Sequence, residues 1–199
     1  NTSNIQHFFG IVKDEYPNHQ KMEENSVKYL ASSYYIKSKL DEISADDYSP
    51  FILQNSRVIE NEMINYLFLP FCDQIEALES KDVFLKNELE NRNSRIFAGF
   101  LLKGSRKFTL GMMVTIIGYI WKSTGKTLES SELLQLFRKH VISILDPSFL
   151  TKENMRMIDD ITQNYRNKAA HIERLSKSDS ENFSTLSKEL LTRLVNSYD

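Results

Sequence analysis

Apolar residues recur every three or four positions along most of this chain, which is the spacing of a helix with one buried face. Within residues 19–43 the positions at this spacing are Met22, Val27, Leu30, Tyr34, Leu40 and Ile43. Comparable patterns predict further helices within 51–71, 73–93, 109–123, 130–145, 151–175 and 176–198. Only 6 Gly and 4 Pro interrupt them. The chain is therefore predicted to be all-α, an up-and-down helical bundle.

Two segments depart from the helical pattern. Residues 1–19 show no clean period, so we expect a loosely attached lead-in with one turn of helix. Residues 94–108 are predicted to form a strand or an irregular segment. Within 51–71, Pro70 is expected to kink or end the helix, because proline has no backbone N–H to donate.

Composition fits a folded domain. The 199 residues are 41% hydrophobic and 26% charged, close to the average of globular proteins. The single cysteine, Cys72, lies among apolar residues and is expected to be a buried structural thiol. No stretch approaches the roughly 18 uncharged apolar residues of a membrane span. We expect a cytoplasmic protein without a membrane partner. Because the first residue is Asn rather than Met, the chain is also expected to be a fragment of a longer protein.

Charge is unevenly distributed, although the net charge is only −2. Residues 91–128 contain no acidic side chain and seven basic ones: Arg92, Arg95, Lys103, Arg106, Lys107, Lys122 and Lys126. If these cluster after folding, they form a local surface that attracts phosphate. We take Arg95, Lys103, Arg106 and Lys107 as candidate RNA-binding residues; the alternative is that the basic side chains are scattered on the folded surface.

The sequence YRNKAAH, residues 165–171, carries the most distinctive chemistry. On a continuous helix, Ile158, Ile161, Tyr165, Ala169 and Ile172 would form the stripe that faces the core. Asp160, Asn164, Asn167 and His171 would fall on the opposite side. His171 is thus predicted to lie outside the core, with Arg166 at the flank of the polar face.

One set of Arg166, Asn167 and His171 provides too few reactive groups for catalysis. Two sets that meet across a symmetric helix–helix contact would supply two guanidinium and two imidazole groups, which suffices for acid–base chemistry on a phosphodiester. An ordinary solvent-facing helix surface is the alternative that spacing alone leaves open.

The residues RNKAAH at 166–171 resemble the R-x4–6-H motif of HEPN domains (higher eukaryotes and prokaryotes nucleotide-binding), including the polar residue directly after the Arg. The match lies late in an all-α chain and precedes one closing helix, as in that family. The resemblance covers residues 20–198 as a single domain, with 79–128 as a family-specific insertion. A subgroup of the family carries Tyr two residues after the His; here that position is Glu173, so its regulation by modification is not transferred.

The resemblance implies a metal-independent endoribonuclease that acts as a homodimer on single-stranded RNA, without a cofactor. The ribose 2′-OH would attack the adjacent phosphate and leave a 2′,3′-cyclic phosphate. His171 would be the general acid/base and Arg166 would neutralise the phosphate. Asn167 would orient the imidazole or the phosphate, and Lys168 is a further candidate RNA contact. The family context also implies a toxin or defence effector with a regulatory or antitoxin partner.

Two other functions stay open at this stage. HEPN-like bundles also serve as non-catalytic dimerisation, nucleic-acid-binding or nucleotide-binding modules of larger proteins. A helical adaptor unrelated to HEPN domains is the third interpretation. No metal site is expected, because His7, His19 and His140 lie far in sequence from any cluster of acids or cysteines.

Overall fold

The chain is an all-α helical bundle in the computed structural model, which describes residues 2–122, 124–171 and 173–198, with side chains from residue 5 onwards. These residues form helices joined by short connections, with no strand among them. The α-helices, numbered α1 to α12, are Thr2–Glu15, Glu24–Glu42, Ser49–Met63, Leu69–Glu76, Lys81–Glu88, Arg95–Leu102, Leu110–Ile120, Lys126–Glu129, Glu132–Val141, Lys152–Asp160, Asn167–Ala170 and Lys177–Asn196. The predicted fold class is confirmed.

Two π-helical segments interrupt longer helical runs. Ile64–Phe68 connects α3 to α4, and Ile161–Arg166 connects α10 to α11. Two short 3₁₀ turns, His19–Lys21 and Pro147–Phe149, precede α2 and α10. A π turn contains one more residue than an α turn, so it changes which residues share a face of the helix.

The residues divide into two compact units. The first contains the chain up to Glu62 together with Arg156–Tyr198, and the second contains Met63–Met155. Both divisions fall within helices, α3 and α10. The single domain expected over 20–198 therefore has residues in both units. The expected insertion at 79–128 lies entirely within the range of the second unit.

The first unit packs α1 against α2 and closes around aromatic side chains. The rings of Phe51 and Phe183 meet edge-to-face with centroids 5.9 Å apart. The expected loose lead-in is corrected here: α1 is a 14-residue helix, with Val12 fully buried and the ring of Phe8 5.9 Å from that of Tyr35. The less exposed positions Ile5, Phe8, Phe9, Val12 and Tyr16 do recur at helical spacing, so the prediction overlooked a pattern that the sequence contains.

The second unit has a core of phenylalanine rings. Phe68, Phe71, Phe97 and Phe137 are buried, and their neighbouring centroids lie 4.9–5.9 Å apart. The expectation of a strand or irregular segment at 94–108 is wrong for residues 95–102, which form α6. Packing of Phe97 into this ring cluster favours the helix over any local β preference.

The helices predicted within 109–123 and 130–145 begin within two residues of their predicted starts. Thr109 caps α7 by accepting from the backbone N–H of Met112, and Ser131 caps α9 by accepting from Leu134. Pro70 does not end its helix: the chain passes through the π segment and continues as α4. At the other end of α9 the helix stops at Val141, earlier than the expected break at 146–147.

Candidate functional site

The segment 166–171 lies at the C-terminal end of a helical run, but His171 is outside the helix. The last turn, α11, ends at Ala170, and His171 has an extended backbone with φ −100° and ψ 175°. Its N–H donates to the carbonyl oxygens of Asn167 and Lys168, both at 3.1 Å. The helix predicted to continue to residue 175 is therefore corrected: it ends one residue before the histidine.

Tertiary contacts explain this early end. The backbone N–H of Tyr48 donates to the carbonyl of Leu175 at 2.8 Å, and the hydroxyl of Ser49 donates to the carbonyl of Glu173 at 3.2 Å. The Leu175 side chain is buried. Tyr48 and Ser49, at the start of α3, thus hold residues 173–175 in a non-helical connection that no local helix pattern reveals.

The core-facing stripe is confirmed in most of its length. Ile158, Ile161 and Ala169 are buried, and the half-buried ring of Tyr165 lies 5.4 Å from the ring of Phe183. Ile172 lies outside the described residues. The π segment begins at Ile161 and ends before Ala169. Its wider turn breaks the regular rotation of about 100° per residue, so the direction of the side chains that follow is judged from their contacts.

Arg166 is the last residue of the π segment and is partly buried, with 29% of its side chain exposed. Its Nη1 donates to Oδ1 of Asn167 at 3.3 Å, and its Nη2 lies 4.0 Å from Oε1 of Glu60 on α3. Glu60 could not be recognised from sequence, because this contact joins residues 106 positions apart. The guanidinium group is therefore held between its own helix and α3.

Asn167 contacts its helical neighbours. Besides accepting from Arg166, its Nδ2 donates to Oε1 of Gln163 at 3.3 Å. Its backbone carbonyl accepts from the backbone N–H of His171, and the role expected of its side chain, orienting the imidazole or the phosphate, stays a prediction. His171 itself is exposed. Lys168 is half-exposed. The pKa of Asp179 is lowered mainly by hydrogen bonds from Ser176, and the positive charge of Lys168 contributes a smaller part of that shift.

The basic candidates belong to the second compact unit, whereas residues 166–171 belong to the first. Arg95 is exposed at the start of α6, and Lys103, Arg106 and Lys107 are exposed in the connection between α6 and α7. Arg106 is ion-paired, with its Nη2 2.5 Å from Oδ1 of Asp73, and the pair raises the pKa of the guanidinium. The three connection residues therefore share one short segment, and Arg106 is partly neutralised within it.

Cys72 and His140 are both buried in the second compact unit. Cys72 is buried, as predicted, and burial raises its pKa to about 11. His140 is buried; its Nε2 lies 3.0 Å from the Leu67 carbonyl, to which it donates, and its Nδ1 lies 2.9 Å from Nε2 of Gln74. Burial lowers the pKa of His140 and favours the neutral ring. No group of three or more His, Cys, Asp or Glu side chains in the described part of the chain is arranged to hold a metal ion.

No helix within the described residues is long and apolar enough to cross a membrane. No protein-family model, curated protein or solved structure matches this chain. The resemblance to HEPN domains thus rests on residues 166–171 and on their place in an all-α chain.

Proposed function

We propose that this protein is a metal-independent endoribonuclease of the HEPN type, which cleaves single-stranded RNA as a homodimer. One observation carries the proposal: the partly buried Arg166 and the exposed His171 flank the single helical turn α11, one directly before it and the other directly after it. An anchored guanidinium suits phosphate binding, and an exposed imidazole suits proton transfer. A cytoplasmic toxin or defence role, under a regulatory or antitoxin partner, belongs to the same proposal.

The chemistry assigns each residue a role at the scissile phosphate. The imidazole of His171 takes the proton of the ribose 2′-OH or gives one to the leaving 5′-oxygen. The attacking 2′-oxygen forms a bond to phosphorus while the bond to the 5′-oxygen breaks, which leaves a 2′,3′-cyclic phosphate and a 5′-OH. Arg166 stabilises the charge that develops on the phosphate oxygens. The reaction needs a 2′-OH, so it distinguishes RNA from DNA.

A dimer supplies what a single chain lacks. One protomer offers one imidazole, whereas the reaction uses an acid and a base. A twofold contact through the helical segment that bears Arg166 would place a second Arg166 and His171 opposite the first. The Asn167 side chain accepts a hydrogen bond from Arg166 and so positions the guanidinium group for that arrangement.

The test is cleavage of a labelled single-stranded RNA in EDTA by the wild type and by three variants. We expect His171→Ala and Arg166→Ala each to slow cleavage by about 100-fold or more. Asn167→Ala, which removes a positioning contact, should slow it by about tenfold. The matched controls are His7→Ala on α1 and Arg156→Ala on α10, both exposed, which should cleave like the wild type.

The same experiment distinguishes a ribonuclease from a non-catalytic nucleic-acid-binding module. Cleavage that survives His171→Ala, or that requires a divalent metal, would contradict the mechanism. A dimeric wild type that retains labelled RNA in a gel-shift assay but does not cut it would instead identify a non-catalytic nucleic-acid-binding module. Arg95, Lys103 and Lys107 are then the residues whose substitution should weaken that binding, since each exposes a basic side chain.

A further inference from the structure

A cleft of about 330 Å³ opens between α1, α2, α3 and α12, all within the first compact unit. None of the residues 166–171 lines it. Its floor is a fixed chain of buried polar groups: Ser187 donates to Oδ1 of Asn55 at 2.7 Å, and Nδ2 of Asn55 donates to Ser33 at 3.0 Å. A floor whose polar groups are already paired gives the cleft a defined shape.

One end of the cleft presents a carboxylate. Oε2 of Glu15 accepts from the hydroxyl of Tyr34 at 2.6 Å, and its Oε1 lies 3.3 Å from Nζ of Lys188. A carboxylate has about four acceptor positions, so these two donors leave room for others. This end can accept from a ligand's ammonium group.

The other end presents an ammonium group. Asp41 is surrounded by donors: Nζ of Lys37 at 2.8 Å, the hydroxyl of Tyr48 at 2.8 Å and Nζ of Lys177 at 3.3 Å. The Lys37 contact is the largest cause that lowers the pKa of Asp41, to about 2, so the carboxylate stays ionised. Two lysines against one aspartate leave a net positive charge. Lys37 lines the cleft and has three N–H donors, of which the Asp41 contact uses one.

The two ends are marked by residues about two helical turns apart on α2. Tyr34, beside Glu15, and Asp41, beside Lys37, are seven residues apart and so lie on one face with a rise of about 10.5 Å. Two hydrogen bonds of about 2.8 Å each leave roughly 5 Å between the ligand's charged groups. A free amino acid is too short for this distance, whereas two residues of extended chain reach at most about 7 Å.

We propose that this cleft binds a small zwitterion of dipeptide length, with its ammonium at Glu15 and its carboxylate at Lys37. Ile11, Tyr16 and Tyr34 provide apolar surface between the two ends, which suits an aliphatic side chain on the ligand. A ligand with a single charge satisfies only one of the two ends, whereas a zwitterion satisfies both. The site is separate from the proposed ribonuclease chemistry and does not depend on it.

Titration calorimetry on the full chain tests this with four peptides that share the side chains of Ala-Leu. The free dipeptide has both charges; its N-acetyl, its amide and its N-acetyl-amide forms lack the ammonium, the carboxylate or both. We expect the free dipeptide to bind with a dissociation constant below about 1 mM, and each capped form to bind at least about tenfold more weakly.

Three substitutions tie the binding to the two ends. Glu15→Gln and Lys37→Met should each weaken the free dipeptide about tenfold. Lys39→Met is the control, because Lys39 lies on the same helix, pairs with Glu42 and does not line the cleft; its affinity should match the wild type. Unchanged thermal unfolding would show that each variant is folded. The proposal would be overturned if the N-acetyl-amide form bound as tightly as the free dipeptide, or if the free dipeptide did not bind at about 1 mM.

Discussion

Glu88 shows at the scale of one residue how a buried carboxylate can organise several helices. It is only 8% exposed, and it accepts from the hydroxyls of Ser94 at 2.5 Å and Ser131 at 2.6 Å. It also accepts from the first backbone N–H groups of α9, those of Glu132 and Leu133, at 2.9 and 3.2 Å. One charged side chain thereby joins the end of α5 to the starts of α6 and α9.

Removal of this carboxylate should therefore be costly. We expect Glu88→Ala to lower the free energy of unfolding by about 2–4 kcal/mol, since the Ser131 hydroxyl and two N–H groups lose their carboxylate acceptor, while the Ser94 hydroxyl keeps only the backbone carbonyl of residue 88. The control is Glu90→Ala, an exposed position two residues away, which should stay within about 0.5 kcal/mol of the wild type. Urea denaturation measures both, and equal stability of the two variants would disprove the assigned role.

Glu62 gives a prediction about pH at the same scale. It is fully buried, accepts from the backbone N–H of Glu23 at 2.9 Å and from the Tyr198 hydroxyl at 2.7 Å, and burial is the main cause that raises its pKa. Its folded pKa lies above its unfolded one, so the folded state binds more protons between the two values. This contribution to stability is complete below about pH 4.5 and is lost as pH rises through the folded pKa.

Glu62→Gln removes that titration. The free energy of unfolding of the wild type should fall relative to the variant as pH increases from 4 towards 7. Parallel urea titrations across this range measure the difference, and a constant gap between the two proteins would contradict the raised pKa of Glu62.

At the scale of elements, amphipathic periodicity was sufficient for most helices and insufficient where tertiary contacts set the structure. The apolar spacing of residues 19–43 predicts α2, and the patterns within 109–123 and 130–145 predict α7 and α9. Sequence could not show that Phe97 joins a ring cluster and favours α6, because that contact is long-range. The same limit applies to the π segments, whose extra residue leaves no local pattern.

The candidate site was predictable only as a set of residues. Arg166, Asn167 and His171 could be chosen because their chemistry is unusual on a helix, and the core side of the helix was correctly assigned through Ile158, Ile161 and Ala169. The contact between Arg166 and Glu60 could not be predicted, since it joins distant parts of the chain. Nor could the end of the helix before His171, which depends on contacts with the start of α3.

The final helix depends on a capping box that also fixes the segment after His171. The hydroxyl of Ser176 accepts from the backbone N–H of Asp179 at 3.1 Å, while Oδ2 of Asp179 accepts from the backbone N–H of Ser176 at 2.8 Å. We expect Ser176→Ala to lower the free energy of unfolding by about 1 kcal/mol. Thr185→Ala, which removes an exposed hydroxyl within the same helix, should be neutral or slightly stabilising. Chemical denaturation tests both; a Ser176→Ala protein as stable as Thr185→Ala would refute the cap's contribution.

At the scale of the molecule, the described residues form two compact units with different chemical character. The first holds Arg166 and His171 and the charged cleft, whereas the second holds the exposed basic connection between α6 and α7. A ribonuclease needs both a reactive group and surface that attracts RNA. Under the proposed function, the first unit would supply the chemistry and the second would add affinity for the phosphate backbone.

This division predicts separable effects on binding and cleavage. Replacement of Lys103 and Lys107 by Gln should raise the RNA concentration needed for half-maximal cleavage and reduce its salt dependence, with little change in the maximal rate. His171→Ala should lower the maximal rate instead. Cleavage kinetics over a range of salt concentrations measure both quantities. A loss of maximal rate in the lysine variant would show that the basic connection has a different role.

The central claim, attack by the ribose 2′-OH without a metal, is tested most directly by the chemical ends of the products. The wild type would be incubated in EDTA with a single-stranded RNA and with the same strand carrying one 2′-deoxy residue at the mapped cleavage position. The account predicts a 2′,3′-cyclic phosphate and a 5′-OH from the RNA, and no cut at the 2′-deoxy position. Products that end in a 3′-OH and a 5′-phosphate, or continued cutting at the 2′-deoxy position, would contradict it.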